Sequence, residues 1–239
     1  MMTLSRHGCV FLLTLQRADN RFDFESTKAI LTALDEVEAV VEKEDPTRSQ
    51  PWALVTTGHD RIYSNGLDPS KVFAHMKDFT GQLFHPLLRR MLTFPMPTVA
   101  AINGHAFAGG LMFAMAHDYR VMRSDRGFLC LNEIDMPAPL TPGMLAVVRA
   151  KFPDPASLRN CLLQAHRFGA TEALKLGLVD AIAEADKVLP TAIALAEQWS
   201  PKAKAGAVMT MIKEEMYQDT VHALREGGLG HVGSFGSKL

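Results

Sequence analysis

Short apolar runs alternate with segments of helical periodicity through the first half of the chain, and this alternation limits the fold more than any other feature. The runs are bounded by Gly, Pro or polar residues, which is typical of short buried strands. Predicted strands cover residues 3–6, 10–16, 52–57, 97–102, 119–124 and 127–131. Predicted helices extend from residue 26 to a stop at 45–46, over 72–92, and from 110 to about 117. This alternation predicts an α/β fold.

The second half of the chain is mainly helical by the same criteria. Pro137, Pro139 and Pro142 end the first region, and Thr141 is placed to cap a helix that begins at Pro142. One further short strand is predicted at 179–182. A chain of 239 residues is long enough for one large domain. We therefore expect an α/β region followed by an α-helical C-terminal region.

Charge and cysteine content exclude several classes of protein. Lys and Arg number 25 against 26 Asp and Glu, so no global positive field attracts nucleic acid or an anionic membrane. Cys9, Cys130 and Cys161 are too scattered for a disulfide framework or a Cys-x-x-Cys zinc site. The apolar runs are shorter than the roughly 20 residues that a spanning helix needs. We expect a protein of a reducing compartment that is neither exported nor embedded in a membrane.

The last three residues resemble a targeting signal. Ser237-Lys238-Leu239 matches the C-terminal tripeptide that the peroxisomal import receptor binds. Glycines at 227, 228, 230, 233 and 236 precede it and predict a flexible tail over 227–239. The sequence therefore predicts a peroxisomal location.

Two glycine-containing turns follow predicted strands and are candidate ligand sites. They cover residues 63–68 (Tyr-Ser-Asn-Gly-Leu-Asp) and 103–110 (Asn-Gly-His-Ala-Phe-Ala-Gly-Gly). Ligands of open α/β sheets bind at the carboxyl ends of strands, and glycine lets backbone N–H groups approach a ligand closely. Gly109-Gly110 also begins a helix, whose N-terminus favours an anion or a developing oxyanion.

The second turn also suggests a different function. Its pattern Gly-x-Ala-x-x-Gly, from Gly104 through Ala106 to Gly109, differs from the dinucleotide-binding fingerprint at one position. Asp125 is the candidate for the acidic residue that binds the ribose. An NAD-dependent dehydrogenase is therefore an alternative interpretation. The nine histidines show no metal-binding spacing, and the sequence contains neither a Gly-x-Ser-x-Gly elbow nor a phosphate-binding loop.

Glu133 is the candidate acid/base residue. It follows the apolar stretch Phe-Leu-Cys-Leu at 128–131 and precedes Ile134. Apolar surroundings disfavour the charged form of a carboxyl group and raise its pKa toward neutrality, as a general base requires. Asp135 is a weaker candidate of the same type.

Taken together, these segments closely resemble the crotonase (enoyl-CoA hydratase/isomerase) superfamily. The resemblance rests on Ser64-Asn65-Gly66-Leu67-Asp68, on residues 99–110 (Val-Ala-Ala-Ile-Asn-Gly-His-Ala-Phe-Ala-Gly-Gly), on Asp118-Tyr119-Arg120 and on residues 168–180. It covers roughly residues 10–200 in the expected order. This sequence departs from the family pattern at Ala108, where members of the family usually have a third glycine.

The resemblance implies a fold, an assembly and a substrate class. The fold is a crotonase-like spiral of ββα units over 1–200, followed by a helical segment at 201–226 and the tail at 227–239. The assembly is a homotrimer. The substrate is an acyl-CoA thioester, so CoA is part of the substrate and no separate cofactor is expected. The backbone N–H groups of Leu67 and Gly109 form the oxyanion hole. The predicted substrate-binding residues are Ser64, Asn65, Gly66, Leu67, Asp68, Gly109, Gly110 and Met112.

Met112 and Glu133 decide which reaction of the family is expected. The hydratases of the family use two glutamates, and here the first position holds Met112 whereas the second holds Glu133. A single carboxylate beside an oxyanion hole suits transfer of a proton from C2 to C4 of a 3-enoyl thioester. The resemblance is nearest to peroxisomal Δ3,Δ2-enoyl-CoA isomerases of fatty acid β-oxidation. Other hypotheses are a hydratase, decarboxylase or thioesterase of the superfamily, a dehydrogenase, or a non-catalytic module that binds acyl-CoA or RNA.

Overall fold

The structure is a computed structural model and describes residues 2–235. Within these residues the chain forms nine strands and twelve α-helices. The strands are β1 Met2–His7, β2 Val10–Leu15, β3 Ala53–Gly58, β4 Ile62–Ser64, β5 Thr98–Ile102, β6 His105–Phe107, β7 Tyr119–Arg123, β8 Leu129–Cys130 and β9 Ala181–Ala183. The α-helices are α1 Phe24–Glu44, α2 Pro69–Val72, α3 Met76–Phe79, α4 His85–Leu92, α5 Gly109–Met115, α6 Pro142–Lys151, α7 Pro155–Gln164, α8 Ala170–Lys175, α9 Val188–Trp199, α10 Ala207–Met216, α11 Gln218–Glu226 and α12 Val232–Phe235.

The strands form two sheets. The large sheet has the order β1-β2-β3-β5-β7-β9, in which β1 is antiparallel to β2 and all other neighbours are parallel. The small sheet has the order β4-β6-β8 and is parallel throughout. Every residue of β3 and β5 is buried, as expected for parallel strands that are covered on both faces.

From β3 to β9, consecutive strands alternate between the two sheets, and this alternation is the spiral of ββα units that the sequence resemblance implies. β3 and β4 precede the helices from α2 to α4, β5 and β6 precede α5, and β7 and β8 precede α6. In each unit the first strand joins the large sheet and the second joins the small sheet. The α/β prediction and the helical C-terminal region are confirmed.

The structure corrects the sequence prediction at the shortest elements. β4 overlaps the predicted turn at 63–68, and β6 lies inside the predicted turn at 103–110. Each has three residues, too few for period-two alternation to be recognised. The helix predicted over 72–92 is divided into α2, α3 and α4 by a 3-10 turn at Phe73–His75 and a π turn at Thr80–Phe84.

The predicted C-terminal tail contains a short helix in its described part. Gly230 has φ +54°, and a Cβ at this position would lie 2.8 Å from Cδ of Pro142, so the chain turns closely against the start of α6 before α12 begins. The targeting tripeptide Ser237-Lys238-Leu239 lies outside the described residues. None of the helices between residues 2 and 235 has the length and apolarity needed to cross a bilayer.

Candidate active site

The small sheet brings three separate segments to one place. In the register of β4 against β6, Ser64 lies beside Ala106, and in that of β6 against β8, Phe107 lies beside Cys130. Because all three strands are parallel, their carboxyl ends lie side by side. The residues that follow these ends include Leu67, Gly109 and Glu133, and all three line one cavity of about 340 Å³.

The N–H group of Leu67, a residue of the cavity wall, points away from the carbonyl that precedes it, and that carbonyl is held by a hydrogen bond. The carbonyl oxygen of Gly66 accepts a hydrogen bond of 2.8 Å from the N–H of Phe22. In a trans peptide the N–H points opposite to the carbonyl. Within residues 2–235, the N–H of Leu67 donates no hydrogen bond, so it is free to bind a ligand atom.

The N–H group of Gly109 is oriented by the start of α5. The carbonyl oxygen of Ala108 accepts hydrogen bonds from Leu111 and Met112 at 3.0 and 3.2 Å, so the N–H across the same peptide points away from the helix. This N–H likewise has no acceptor among the described residues. Ala108 has φ +51° and ψ −126°, a strained conformation for a residue with a side chain, and such strain is common at functional sites.

The two turns approach each other so closely that Gly66 admits no side chain. A Cβ on Gly66 would lie 2.8 Å from both the nitrogen of Gly109 and the Cβ of Ala108, and Gly66 also has φ +79°. A Cβ on Gly110 would lie 2.2 Å from the carbonyl oxygen of Ser64. These glycines therefore let the two N–H groups face one cavity.

The structure brings five of the nine predicted site residues to the cavity wall, namely Asn65, Leu67, Gly109, Met112 and Glu133. Ser64, Gly66, Asp68 and Gly110 do not line it. The fully buried Ser64 donates from Oγ to the carbonyl of Asn20 at 2.7 Å and accepts from the N–H of Gly66 at 3.2 Å. Asp68 caps α2 through the N–H of Ser70. These four residues lie behind the wall, and their assignment to substrate binding stays a prediction.

Glu133 has the environment that its sequence neighbours predict. It is half-buried in the turn after β8, and its Oε2 is buried without a hydrogen-bond partner among the described residues. Loss of solvation raises the pKa of this carboxyl group from its usual value near 4.5 to about 7. Glu133 is also the only carboxylate that lines the cavity within residues 2–235. Asp135 is exposed and lies outside the wall.

Met112 places an apolar side chain at the position where the family resemblance implies a second glutamate in hydratases. It lies on α5 one turn after Gly109, is 1% exposed, and lines the same cavity as Glu133. A thioether at this point neither activates water nor holds it in place. Further apolar wall residues come from the segments around α2, α3, α6 and α12, and they include Phe73, Met76, Met136, Leu140, Met144 and Val232.

Sequence reasoning missed these apolar wall residues and three basic ones. Arg21, His105 and Arg167 also line the cavity. Arg21 donates to the carbonyl oxygen of Leu67 at 3.2 Å, and burial lowers the pKa of His105. They lie far apart in the sequence, so no local pattern identifies them. No cluster that could hold a metal ion is found within the described residues.

The dinucleotide interpretation does not match the local backbone. In a dinucleotide-binding fingerprint the glycine pattern forms the turn between a strand and a helix. Here strand β6 occupies residues His105–Phe107 within that pattern. Asp125 is exposed, forms an ion pair with Arg123 at 2.6 Å and does not line the cavity.

Comparisons with known proteins agree with this geometry. Residues 6–235 match the family model described as enoyl-CoA hydratase/isomerase. Enoyl-CoA delta isomerase 3 of Arabidopsis thaliana is 36% identical over 92% of this chain and 93% of its own length. The peroxisomal enoyl-CoA delta isomerase 2 of the same plant is 34% identical with the same coverage. Human mitochondrial Δ3-Δ2-enoyl-CoA isomerase superposes with a TM-score of 0.83 at 21% identity, covering 99% of this chain and 91% of the human chain.

Proposed function

Because the chain belongs to the enoyl-CoA hydratase/isomerase family, we propose that it is a Δ3,Δ2-enoyl-CoA isomerase that shifts the double bond of 3-enoyl-CoA to give trans-2-enoyl-CoA in fatty acid β-oxidation. The observation that carries this proposal is the composition of the cavity. Among the described residues, it combines two N–H groups without acceptors, the single carboxylate of Glu133 and the apolar side chain of Met112.

The reaction needs one proton to be moved and one negative charge to be stabilised. The carboxylate of Glu133 takes a proton from C2 of the 3-enoyl thioester, and the electron pair spreads over C2, C4 and the thioester oxygen. That oxygen accepts hydrogen bonds from the N–H groups of Leu67 and Gly109. The proton returns from Glu133 to C4, and the double bond then lies between C2 and C3. CoA is part of the substrate, so no separate cofactor is needed.

Each group contributes a recognisable share of the rate. Removal of one donor from an oxyanion hole typically costs about 2.7–4 kcal/mol of transition-state stabilisation. A base with a pKa near neutrality is suited to take up and return a proton in one cycle. Glu133 has that pKa because burial disfavours its charged form.

The test is the conversion of 3-hexenoyl-CoA to 2-hexenoyl-CoA by the full chain. We expect turnover by the wild-type protein and a loss of about 100-fold or more in Glu133→Gln, because glutamine keeps the shape and removes the base. Asp135→Asn is the matched control, since Asp135 is an exposed carboxylate two residues away and its loss leaves the rate unchanged. Absence of turnover, or full turnover in Glu133→Gln, refutes the proposal.

Hydration of 2-enoyl-CoA is the reaction to exclude in the same assay. Met112 leaves the site without a second carboxylate to orient water, so we expect slow hydration. Met112→Glu alone is expected to remain an inefficient hydratase, because water also needs space and orientation beside the substrate. Rapid hydration by the wild-type protein contradicts the assignment as an isomerase.

The proposed location is the peroxisome. Two Arabidopsis relatives at 34% and 33% identity are named peroxisomal, and Ser237-Lys238-Leu239 matches the tripeptide that the import receptor binds. An N-terminal fluorescent fusion is expected to colocalise with a peroxisomal marker. Deletion of these three residues is expected to leave the fusion in the cytosol, and unchanged peroxisomal import would contradict the assigned signal.

The proposed assembly is a homotrimer. The resemblance to the superfamily implies it, and α10 has an apolar face that needs a partner. Val208, Met211, Ile212 and Met216 lie on this face, and each is more than half exposed, which is typical of interaction surfaces. Light scattering is expected to give three times the monomer mass, and Ile212→Lys is expected to reduce it. A wild-type monomer refutes this part of the proposal.

A further inference from the structure

We infer that His85 is a positioning residue for the proposed isomerase, and that it acts through Thr141 on the cavity wall that faces Glu133. The inference rests on the proposed function. Nε2 of His85 lies 2.8 Å from Oγ1 of Thr141. His85 is 3% exposed and Thr141 is 1% exposed, yet Thr141 lines the cavity.

Thr141 ends the segment that carries the base. This segment leaves β8, contains Glu133 and ends where Thr141 caps α6. The cap is a hydrogen bond of 3.2 Å from the N–H of Met144 to Oγ1 of Thr141. The same oxygen therefore holds both the start of α6 and the imidazole of His85. Loss of these contacts would loosen the segment that carries Glu133.

His85 is itself held at a specialised part of the chain. It is the first residue of α4 and directly follows the π turn at Thr80–Phe84, an irregularity that is frequent at functional sites. A Cβ on Gly109 would lie 3.0 Å from Cζ of Phe84. Phe84 thus lies against Gly109 of the proposed oxyanion hole, and the next residue, His85, lies against Thr141 on another part of the cavity wall.

The charge state of His85 is compatible with this role at physiological pH. Burial lowers the pKa of His85 to about 4, so the imidazole is neutral and adds no charge beside the substrate. The titratable groups that line the cavity, within the described residues, are Arg21, Glu133, His105 and Arg167, and His85 lies behind Thr141.

The structure offers a matched control for the inference. His117 is fully buried, and its Nε2 lies 2.9 Å from Oγ1 of Thr56. This pair has the same contact between an imidazole nitrogen and a threonine hydroxyl as the pair of His85 and Thr141, and it is also bound to the carbonyl of Phe113 and the hydroxyl of Tyr63. Neither His117 nor Thr56 lines the cavity. The variant His117→Leu therefore shows how much kcat and Tm change when a buried His–Thr contact away from the cavity is lost.

The test combines kinetics with 3-hexenoyl-CoA and a pH profile for folded, stability-checked variants. His85→Leu is expected to lower kcat about 10-fold with KM changed by less than about threefold. The pH below which kcat/KM falls is expected to be lower in this variant than in the wild type. A loosened segment admits water to Glu133, and solvation lowers the pKa of its carboxyl group. His85→Gln keeps a hydrogen-bonding group near Thr141 and is expected to restore most of the rate.

Thr141→Val removes the same interaction from the other side, together with the cap of α6. It is expected to lose at least as much as His85→Leu, and the double variant is expected to lose no more than Thr141→Val alone. His117→Leu is expected to lower Tm and to leave kcat and the pH profile unchanged.

If the wild-type protein is active, and both His85→Leu and Thr141→Val keep its kcat and pH profile, the inference is overturned while the proposed function stands. The same kinetic loss in His117→Leu also overturns it. A wild-type protein without turnover instead refutes the proposed function, and the inference falls with it. Should His85→Leu fail to fold, Thr141→Val and His85→Gln supply the same comparison.

Discussion

Replacement of Glu133 by glutamine is expected to stabilise the folded protein at alkaline pH while it removes the proposed activity. Burial raises the pKa of Glu133 from its usual value near 4.5 to about 7. At about 1.4 kcal/mol per pKa unit, the ionised carboxylate costs the folded state about 3 kcal/mol relative to the unfolded chain. Glutamine carries no charge, so this cost is absent from the variant.

The sign of the pH dependence follows from proton binding. Between pH 4.5 and about 7 the folded state of the wild-type protein binds a proton at Glu133 that the unfolded state has released. This contribution to stability is fully present below pH 4.5, and it is lost as the pH rises through 7. Relative to the wild type, Glu133→Gln is therefore expected to gain about 2–3 kcal/mol between pH 5 and pH 8.

Urea unfolding of both proteins at pH 5 and pH 8 measures this gain, with Asp135→Asn as the exposed control. The same ionisation is expected in the kinetics of the wild type, where kcat/KM falls as the pH drops below about 7 because the base becomes protonated. A free-energy difference between wild type and Glu133→Gln that is the same at both pH values refutes the reasoning that burial controls this carboxyl group.

Three further substitutions test the site and its support. Gly66→Ala is expected to lower kcat about 100-fold or more in the 3-hexenoyl-CoA assay, because its Cβ would lie 2.8 Å from the nitrogen of Gly109; wild-type turnover would contradict this. Ala108→Gly removes a positive φ from a residue with a side chain and is expected to raise Tm by about 2–4 °C, measured by calorimetry. Asp118→Asn breaks the ion pair of 2.7 Å with the buried Lys213 and is expected to cost about 3 kcal/mol in urea unfolding. A loss under about 1 kcal/mol would show that the pair contributes little.

Local patterns predicted the longer elements because each pattern is complete within its own segment. The sequence predicts a strand over residues 10–16, and β2 is Val10–Leu15. It also predicts Thr141 as the cap of a helix that begins at Pro142, and the structure has that cap. β4 and β6 were missed because three residues contain too little periodicity to separate a strand from a turn.

The same distinction applies to the site. The sequence itself identifies Glu133 as a carboxyl group in apolar surroundings, and the family resemblance places Met112 where the hydratases have a glutamate. It also places glycines in both turns. It assigned Ser64 and Gly110 to the ligand, whereas they pack against each other behind the wall, because a motif does not reveal which way its side chains point.

The sequence by itself determined the α/β class and the candidate base, since these depend on patterns along the chain, and the resemblance of its motifs gave the family. Only the tertiary structure decided that Gly66 lies against Gly109 and that Arg21 and Val232 line the same cavity. It also decided that His85 binds Thr141, which is 56 positions away in the sequence. These contacts depend on how the two sheets and their helices pack, and side-chain packing between distant segments leaves no periodic signal in either segment alone.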